Sequence, residues 1–317
     1  MNKSIKWPIK AAVKDLKYFY DWAFYLFTRD EAKEKPLIRY YEKGSVSPDY
    51  DRPVCLFCNY DRENIVRANV YHYLYALVLA GFDIVFISSS DAISEADLQK
   101  LSGYCVRIMN RENKGYDFYG WKIGLEKYPQ YNAHSGLLLA NDSVIGPLFD
   151  ISDIITRLEN CDADIIGMTD CFHFYPHLQS YFLYCKKNVI LSEEFIRFFI
   201  EVNAHELKMA IIRKYEVGFS RLLGHRFRLS ALYSVENVLA RVNYHERPIR
   251  WIDPTFHLWK PLITEFKFPF VKKNIWIRKG VSLEEISAAL AESGSAYNLD
   301  ILTNRAAAVV KSLPCFL

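Results

Sequence analysis

Hydrophobic runs alternate with amphipathic segments along the first half of the chain. The runs that predict buried strands are PVCLFCNY, FDIVFISSS, YCVRIMN and SGLLLAND. The segments between them predict helices over residues 62–80, 93–104 and 117–127, with Ser94 as the N-cap of the second. Continuous apolar strands joined by helices are typical of a parallel sheet that is covered on both faces. We therefore expect an α/β fold with a mostly parallel sheet.

The second half of the chain is less regular. ADIIGMTD and HLQSYFLYC each predict a strand, and helices are predicted over 192–203, over 215–223 and after Ser282. Pro- and aromatic-rich segments, RPIRWIDPTFHLWKPL and FKFPFVKKNIW, lie between the last two helices.

The amino-acid composition excludes several classes of protein. Of 317 residues, 51% are hydrophobic and 24% charged, which excludes a disordered or low-complexity chain. The 40 basic and 37 acidic residues give a net charge of +3, so no nucleic-acid partner is expected. The longest apolar run, over 73–80, is far shorter than the about 18 residues of a membrane span. The charged start of the chain does not predict a signal peptide, and we expect a cytoplasmic protein.

Residues 7–28 form a predicted helix in which aromatic side chains alternate with Lys10, Lys14 and Lys17. A basic, aromatic amphipathic helix of this kind can lie in a membrane interface, which would give a peripheral membrane contact. A helix packed across the domain is the alternative.

The seven cysteines are scattered along the chain. Cys55 and Cys58 lie in one predicted strand, whose alternation places their thiols on opposite faces. Buried reduced thiols are therefore favoured over a metal site or a disulfide.

Polar side chains follow each predicted strand of the first half, on the edge where open α/β sheets bind ligands. The triplet Asn141-Asp142-Ser143 is the most informative, because a carboxylate there suits Mg²⁺ or Mn²⁺ carrying a diphosphate. An Asx-turn that ends the strand is the alternative. The dinucleotide-binding glycine motif and the Walker loop are both absent from the sequence.

The segment ENKGYDFYGW leads into the third predicted helix. Gly115 permits a close backbone approach, and a helix N-terminus favours anionic groups. Asp117 is either part of such a site or an ordinary N-cap.

An ordered set of motifs resembles one family. NKGYDFYGW, LLLANDSVIGP, MTD, HLQSYFL and YEVGFSRLLGHRF together resemble the rhamnan synthesis protein F family of glycosyltransferase-like proteins, over about residues 54–276. Their order is also similar to that of GT-A glycosyltransferases, which have a Rossmann-like nucleotide-binding half and an acceptor-binding half. The resemblance implies a nucleoside diphosphate-sugar donor and the following division of the chain: 1–50, a helical segment and linker; 51–150, the nucleotide-sugar-binding half; 151–280, the acceptor-binding and catalytic half; 281–317, a C-terminal helical segment.

The resemblance and the predicted strand ends assign candidate residues to the donor. Those for the nucleotide-sugar are Asn59, Asp61, Asp91, Asn113, Gly115, Asp117, Asn141 and Lys272. Asp142 matches the metal-binding carboxylate and His257 a late histidine that approaches the diphosphate or metal, so a divalent cation is a candidate cofactor. Asn141 and Ser143 replace the carboxylates of the usual D-x-D pattern, and His257 among aromatic residues is equally consistent with a structural role. Lys272 and Lys273 offset leaving-group charge or form a solvated basic face.

The acceptor side has its own candidates. Glu216, at the start of a helix, resembles the acidic residue of inverting GT-A enzymes and is the first candidate for the base, with Asp170 second. A first-turn Glu that complements the helix dipole is the alternative. His177 and Gln179 are candidates for contacts to the acceptor sugar, although HLQSYF also fits a core strand.

We expect a glycosyltransferase that moves a sugar, with L-rhamnose as a candidate, onto a growing lipid-linked glycan of the bacterial surface. The expected place is the cytoplasm, with the inner face of the plasma membrane as a candidate site. A nucleotide-sugar-modifying protein of the same fold is an alternative. Another is a catalytically silent assembly factor, which the altered Asn-Asp-Ser triplet keeps open.

Overall fold

A computed structural model describes residues 38–205, 207–244 and 246–302, together with six separate positions between 12 and 23. Most of the helix predicted over 7–28 therefore lies outside the described residues. No helix in the described part of the chain is long and apolar enough to cross a membrane.

The strands of the described residues form one large mixed sheet and two small ones. In chain order they are β1 (Ile38–Lys43), β2 (Val54–Asn59), β3 (Asp83–Ser88), β4 (Arg107–Arg111), β5 (Gly136–Asn141), β6 (Val144–Ile145), β7 (Ile165–Gly167), β8 (Asp170–Cys171), β9 (His177–Leu178), β10 (Phe182–Lys186), β11 (Leu229–Ala231) and β12 (Val271–Lys272). The large sheet has the order β1-β4-β3-β2-β5-β10-β7-β11.

The helices are α1 (Ala68–Leu79), α2 (Glu95–Ser102), α3 (Tyr116–Lys127), α4 (Ile154–Asn160), α5 (Lys187–Ile190), α6 (Glu193–Ile200), α7 (Lys208–Ile211), α8 (Gly218–Leu223), α9 (Val235–Arg241), α10 (Pro254–His257), α11 (Trp259–Phe266), α12 (Asn274–Lys279) and α13 (Leu283–Ser293). A π-helical stretch, Ile212–Val217, joins α7 to α8. Short 3-10 turns lie at Pro129–Asn132, Ile249–Trp251 and Leu299–Leu302.

The four strands predicted for the first half are all present and lie side by side. Strand β2 pairs in parallel with β3 and β5, and β3 pairs in parallel with β4. All residues of β2, β3 and β5 are buried, because helices cover both faces of the sheet. The predicted α/β fold with a mostly parallel, Rossmann-like sheet is confirmed.

Two hydrophobic clusters cover opposite faces of this sheet. Cys55 belongs to the cluster that includes α1, and Cys58 to the one that includes α3. Both thiols are buried and free, as the strand alternation predicted.

The second half adds antiparallel pairing. Strand β10 lies antiparallel between β5 and β7, and β11 joins β7 in parallel. The predicted single strand HLQSYFLYC was wrong in its extent, because it is divided into β9, which pairs with β8, and β10. The residues between them, Gln179 to Tyr181, face a cleft instead of continuing the ladder.

The structure differs from the sequence-based prediction at two further places, the start of helix α1 and strand β1. Helix α1 starts at Ala68, six residues later than predicted for 62–80, because the Asp61 carboxylate accepts hydrogen bonds from the backbone of Glu63 and Ile65 and holds a turn there. Strand β1, which pairs antiparallel with β4, lies in the stretch predicted as a linker.

The last part of the chain returns to the strand ends of the first half. Strand β12 pairs antiparallel with β6, so that Lys272 lies opposite Val144. Helix α13 follows Ser282, which with Glu285 forms a capping box, as the predicted helix start required.

Candidate active site

A cleft of about 490 Å³ opens at the carboxyl ends of the parallel strands, beside β9 and the π-helical stretch. Seven of the predicted site residues line it together: Asp117, Asn141, His177, Gln179, Glu216, His257 and Lys272. Lys273, Asp253 and several aromatic residues complete the wall. The cleft therefore joins residues from both halves of the chain.

The Asp142 carboxylate lies directly behind this wall and is 16% exposed. Asn59 Nδ2 and Lys273 Nζ each donate to Asp142 Oδ2 at 3.1 Å, and the Tyr60 backbone N–H donates to the same carboxyl group. Burial raises the pKa of Asp142, and the Lys273 ammonium opposes that rise. Asn59 does not line the cleft itself, but its hydrogen bond helps to fix the position of the Asp142 carboxylate.

Main-chain hydrogen bonds hold Lys273 next to Asp142. The pairing of β12 with β6 places residue 273 beside the end of β5, and the Lys273 N–H donates to the carbonyl of Ser143 at 3.0 Å. Lys272, the last residue of β12, has a different partner, with Nζ 3.7 Å from Asp253 Oδ2.

Asp117 lies in the first turn of α3 and faces the cleft. The backbone is left-handed at both Gly115 (φ 76°) and Tyr116 (φ 53°), which turns the chain sharply into the helix. Asn141 Nδ2 donates to Asp117 Oδ2 at 3.0 Å. Burial, and then the charge of Asp142, raises the pKa of Asp117 to about 7. Asp117 does not act as the side-chain cap of α3.

The buried side chain of Arg111 holds the loop before α3. Arg111, 2% exposed, donates to the carbonyl oxygens of Glu112, Lys114 and Tyr116. A Cβ at Gly115 would lie 2.6 Å from Tyr119 Cβ and 2.7 Å from the Cα of residue 204. The close approach that Gly115 permits here is therefore to the protein's own chain.

Glu216 projects from the π-helical stretch toward the cleft. Its Oε1 accepts two hydrogen bonds from Ser180, one from the backbone N–H and one from the hydroxyl, both at 2.8 Å. The predicted helix over 215–223 is present, but its predicted start was wrong, because the helical run begins at Lys208 and Glu216 lies inside it rather than in its first turn. Two fixed donors hold one oxygen of Glu216 and leave the other available for a proton.

The neighbouring wall carries a buried polar network. Thr169 donates to Gln179 Oε1 at 2.7 Å, which fixes the amide so that Gln179 Nε2 donates to Asp253 Oδ1 at 3.1 Å. Thr255 donates to the same oxygen at 2.7 Å. Burial would raise the pKa of Asp253, but Lys272 and these donors outweigh it and hold that pKa below its usual value.

Two of the histidines that line the cleft, His177 and His257, have defined hydrogen bonds. His177 Nδ1 donates to the Tyr175 carbonyl at 2.7 Å, so Nε2 is its acceptor nitrogen. His257 Nδ1 lies 2.9 Å from the backbone nitrogen of Asp253. Burial, followed by the positive charge of Arg247, lowers the pKa of His257 to about 4, so this ring is neutral.

The Asp142 carboxylate is not free to bind a divalent cation. Three donors already occupy the Asp142 carboxylate, and one of them is an ammonium group. Within the described ranges, no group of three or more His, Cys, Asp or Glu side chains is arranged to hold a metal ion.

Other predicted residues lie outside the cleft wall. Asp61 is bound to Arg67, and Asp91, 81% exposed, pairs with Arg39 at 3.2 Å. Asn113 is exposed on the loop before α3. Asp170 accepts a hydrogen bond at 2.7 Å from the backbone N–H of Val235, at the start of α9. These side chains have structural partners or solvent around them.

Asp253 was missed by the sequence analysis. Its signal was present in DPTFHLW, because an Asp followed by Pro and Thr is typical of a helix start. What the pattern did not indicate is that the carboxylate turns toward Gln179 and Lys272.

Comparisons with known proteins give two relatives of moderate identity. The protein y4gN of Sinorhizobium fredii is 32% identical over 183 residues, which cover 55% of this chain and 47% of that protein. The match therefore spans about half the length of this relative. The virulence protein VirA of Vibrio anguillarum is 26% identical over 252 residues, or 71% of this chain and 79% of that protein.

Solved structures that are similar to this chain include two glycosyltransferases. A mannosyltransferase from Pyrobaculum calidifontis, in complex with GDP-Man and Mn²⁺, is 9% identical, with a TM-score of 0.39 over 95% of this chain and 89% of that one. The bifunctional glycosyltransferase WbbM is 10% identical, with a TM-score of 0.42 over 82% of this chain and 53% of that one.

The family match covers most of the chain, including the cleft residues from Asp117 to Lys273. Residues 84–312 match the family described as rhamnan synthesis protein F. The chain belongs to the rhamnan synthesis protein F family.

Proposed function

We propose that this protein is a glycosyltransferase that moves a sugar from a nucleoside diphosphate donor to a hydroxyl group of a growing bacterial surface polysaccharide. The observation that carries the proposal is one cleft with a carboxylate, Glu216, on one wall and two ammonium groups, Lys272 and Lys273, on another. Membership of the rhamnan synthesis protein F family supports the transferase activity and makes L-rhamnose the first donor sugar to test.

Glu216 is the proposed base. Its free oxygen takes the proton of the acceptor hydroxyl as that oxygen bonds to the anomeric carbon of the sugar. The bond from that carbon to the phosphate oxygen breaks at the same time, and its electron pair leaves on the diphosphate. The sugar carries oxocarbenium-like charge in between, and inversion follows from attack on the face opposite the leaving group.

The donor side is built from the strand ends. In this proposal Asp117 and Asn141 contact the sugar or diphosphate, while Lys272 and Lys273 offset the leaving-group charge. Asn59 positions Lys273 through Asp142. Asp61, Asp91, Asn113 and Gly115 remain predicted parts of the nucleotide site. The observed contacts of Asp61, Asp91 and Gly115 make these three supports of the loops around it.

The acceptor side is the wall formed by His177 and Gln179. His177 Nε2 accepts from a sugar hydroxyl, and Gln179 with Asp253 presents a fixed pair of polar groups. Phe174, stacked on His173 with ring centroids 4.0 Å apart and with the Arg213 guanidinium 4.3 Å from its ring centre, lines the same cleft. A lipid-linked glycan acceptor would place the protein at the inner face of the plasma membrane.

The test is a donor screen. We expect the protein to bind a uridine, thymidine or guanosine diphosphate, seen as a rise in melting temperature, and to release that nucleotide from the matching sugar donor. Binding without turnover, with any acceptor glycan, would favour a silent assembly factor. The absence of binding to every nucleotide, with or without Mn²⁺, would refute the proposed function.

A further inference from the structure

We propose that the Lys273 ammonium, assisted by Lys272, occupies the place of a divalent cation against the donor diphosphate, so that nucleotide binding needs no metal. This inference rests on the proposed function and specifies how its donor site neutralises charge. It departs from the sequence-based expectation that Asp142 and His257 bind Mg²⁺ or Mn²⁺.

The first step is the state of Asp142. A carboxylate has about four lone-pair positions for donors, and Asn59, Tyr60 and Lys273 already supply three. A divalent ion at this carboxylate would also lie close to the Lys273 ammonium and be repelled by it. Asp142 is thus arranged to hold a lysine rather than a metal.

The second step is how firmly the lysine is held. Main-chain pairing of β12 with β6, and the bond from Lys273 N–H to Ser143, fix its backbone beside the end of β5. The Lys273 side chain is 37% exposed and lines the cleft, so its ammonium can contact Asp142 and a ligand together. Preorganised positive charge of this kind needs little rearrangement when the diphosphate binds.

The third step is the second lysine. Lys272 has partners of its own, with Nζ 3.7 Å from Asp253 Oδ2 and 5.6 Å from the centre of the Tyr181 ring. It also lines the cleft. Two ammonium groups from adjacent residues, each held by a carboxylate, can therefore donate to a diphosphate in the place of a divalent cation.

The experiment compares nucleotide affinity with and without metal. UDP, GDP and dTDP are titrated into the protein by calorimetry in excess EDTA, and again in buffer with MnCl₂. We expect the nucleotide that binds to have the same affinity in both buffers. Binding that requires Mn²⁺ would overturn the inference and leave the proposed function intact, whereas no binding in either buffer would refute both.

Three variants make the test specific. In EDTA, we expect Lys273→Met to weaken nucleotide binding by roughly tenfold or more, the loss of one charge-assisted hydrogen bond. The matched control is Lys260→Met, an exposed lysine on α11 outside the cleft wall, which pairs with Glu292 at 3.7 Å and should bind as the wild type does. Unchanged affinity in Lys273→Met would overturn the inference.

Asp142→Asn distinguishes a carboxylate that holds Lys273 from a carboxylate that binds a metal ion, even if Lys273→Met folds poorly. An asparagine still accepts from Lys273, although without the negative charge, and is a much poorer metal ligand, so we expect nucleotide affinity to fall by the same factor in EDTA and in MnCl₂. If Asp142 is a metal ligand, the same variant instead loses a Mn²⁺-dependent affinity that the wild type has. That result would contradict the role assigned to Lys273.

Discussion

Replacing Glu216 with glutamine tests the proposed base with little disturbance to the fold. The two side chains have nearly the same shape, and the amide oxygen of glutamine can still accept both hydrogen bonds from Ser180, which are 2.8 Å long in the wild type. The other atom changes from an oxygen with free lone pairs to an NH₂ group, which cannot take a proton. Only the proton transfer should be affected.

The magnitude follows from the role. A positioned general base contributes about 10²–10⁴-fold to the rate, so we expect kcat of Glu216→Gln to fall by that amount. Donor affinity should not change, because the lysines that face the diphosphate belong to a different wall of the cleft. The assay measures nucleoside diphosphate released from dTDP-L-rhamnose, UDP-glucose and GDP-mannose, with an acceptor glycan present, and calorimetry measures donor binding separately.

Two further variants sharpen the result. Ser180→Ala removes the hydroxyl donor to Glu216 but keeps the backbone donor, so a smaller loss of about tenfold in kcat is expected for one hydrogen bond to a charged group. Asp170→Asn should retain activity, because Asp170 lies outside the cleft wall and accepts from the start of α9. Full turnover in Glu216→Gln would refute the assignment, and a loss confined to Asp170→Asn would move the base to Asp170.

The remaining predictions concern stability and the membrane. Because the pKa of Asp117 is raised to about 7, folding takes up a proton there between about pH 4 and 7, and stability falls as pH rises through that range. Asp117→Asn should therefore melt above the wild type at pH 8, with a difference that shrinks by pH 5; an equal difference at both values would contradict this. Gly115→Ala should lower the free energy of unfolding by roughly 1–3 kcal/mol through overpacking. The control is Gly280→Ala, because Gly280 is also left-handed (φ 67°) but has no atom within 4 Å of an added Cβ. We expect a larger loss of stability in Gly115→Ala than in this control. Equal losses in denaturant titrations would exclude the close contact as the cause. Deleting residues 1–28 should weaken sedimentation with anionic liposomes, because the apolar side chains described there, at positions 13, 16, 19 and 20, are 60–70% exposed; unchanged sedimentation would mark this segment as unrelated to membranes.

The first half of the fold was predictable because its signals are local. Strands β2, β3 and β5 are buried on both faces, so every position is apolar or nearly so, and the run itself identifies the strand. The N-cap at Ser94 was likewise visible, since its side chain accepts from Asp97 three residues later. The cleft at the ends of these strands follows from the same sheet geometry.

The second half was less predictable because long-range contacts decide its structure. Only two polar residues, Gln179 and Ser180, interrupt the segment HLQSYFLYC, and so short an interruption does not by itself predict the break between β9 and β10. That break occurs because Gln179 bonds to Thr169 and Asp253, while Ser180 donates to Glu216. These partners are between 10 and 74 residues away, beyond the reach of any periodicity.

Asp142 gives the clearest case of a residue whose chemistry depends on distant sequence. Alone, the triplet Asn141-Asp142-Ser143 resembles a weakened metal motif, and its position at the end of β5 was correctly predicted. Its partner Lys273 is 131 residues away and arrives through the pairing of β12 with β6, two strands of two residues each. Strands this short leave almost no pattern in the sequence. The C-terminal part of the chain therefore supplies the ammonium group that Asp142 faces, and the proposed neutralisation of a diphosphate depends on that contact.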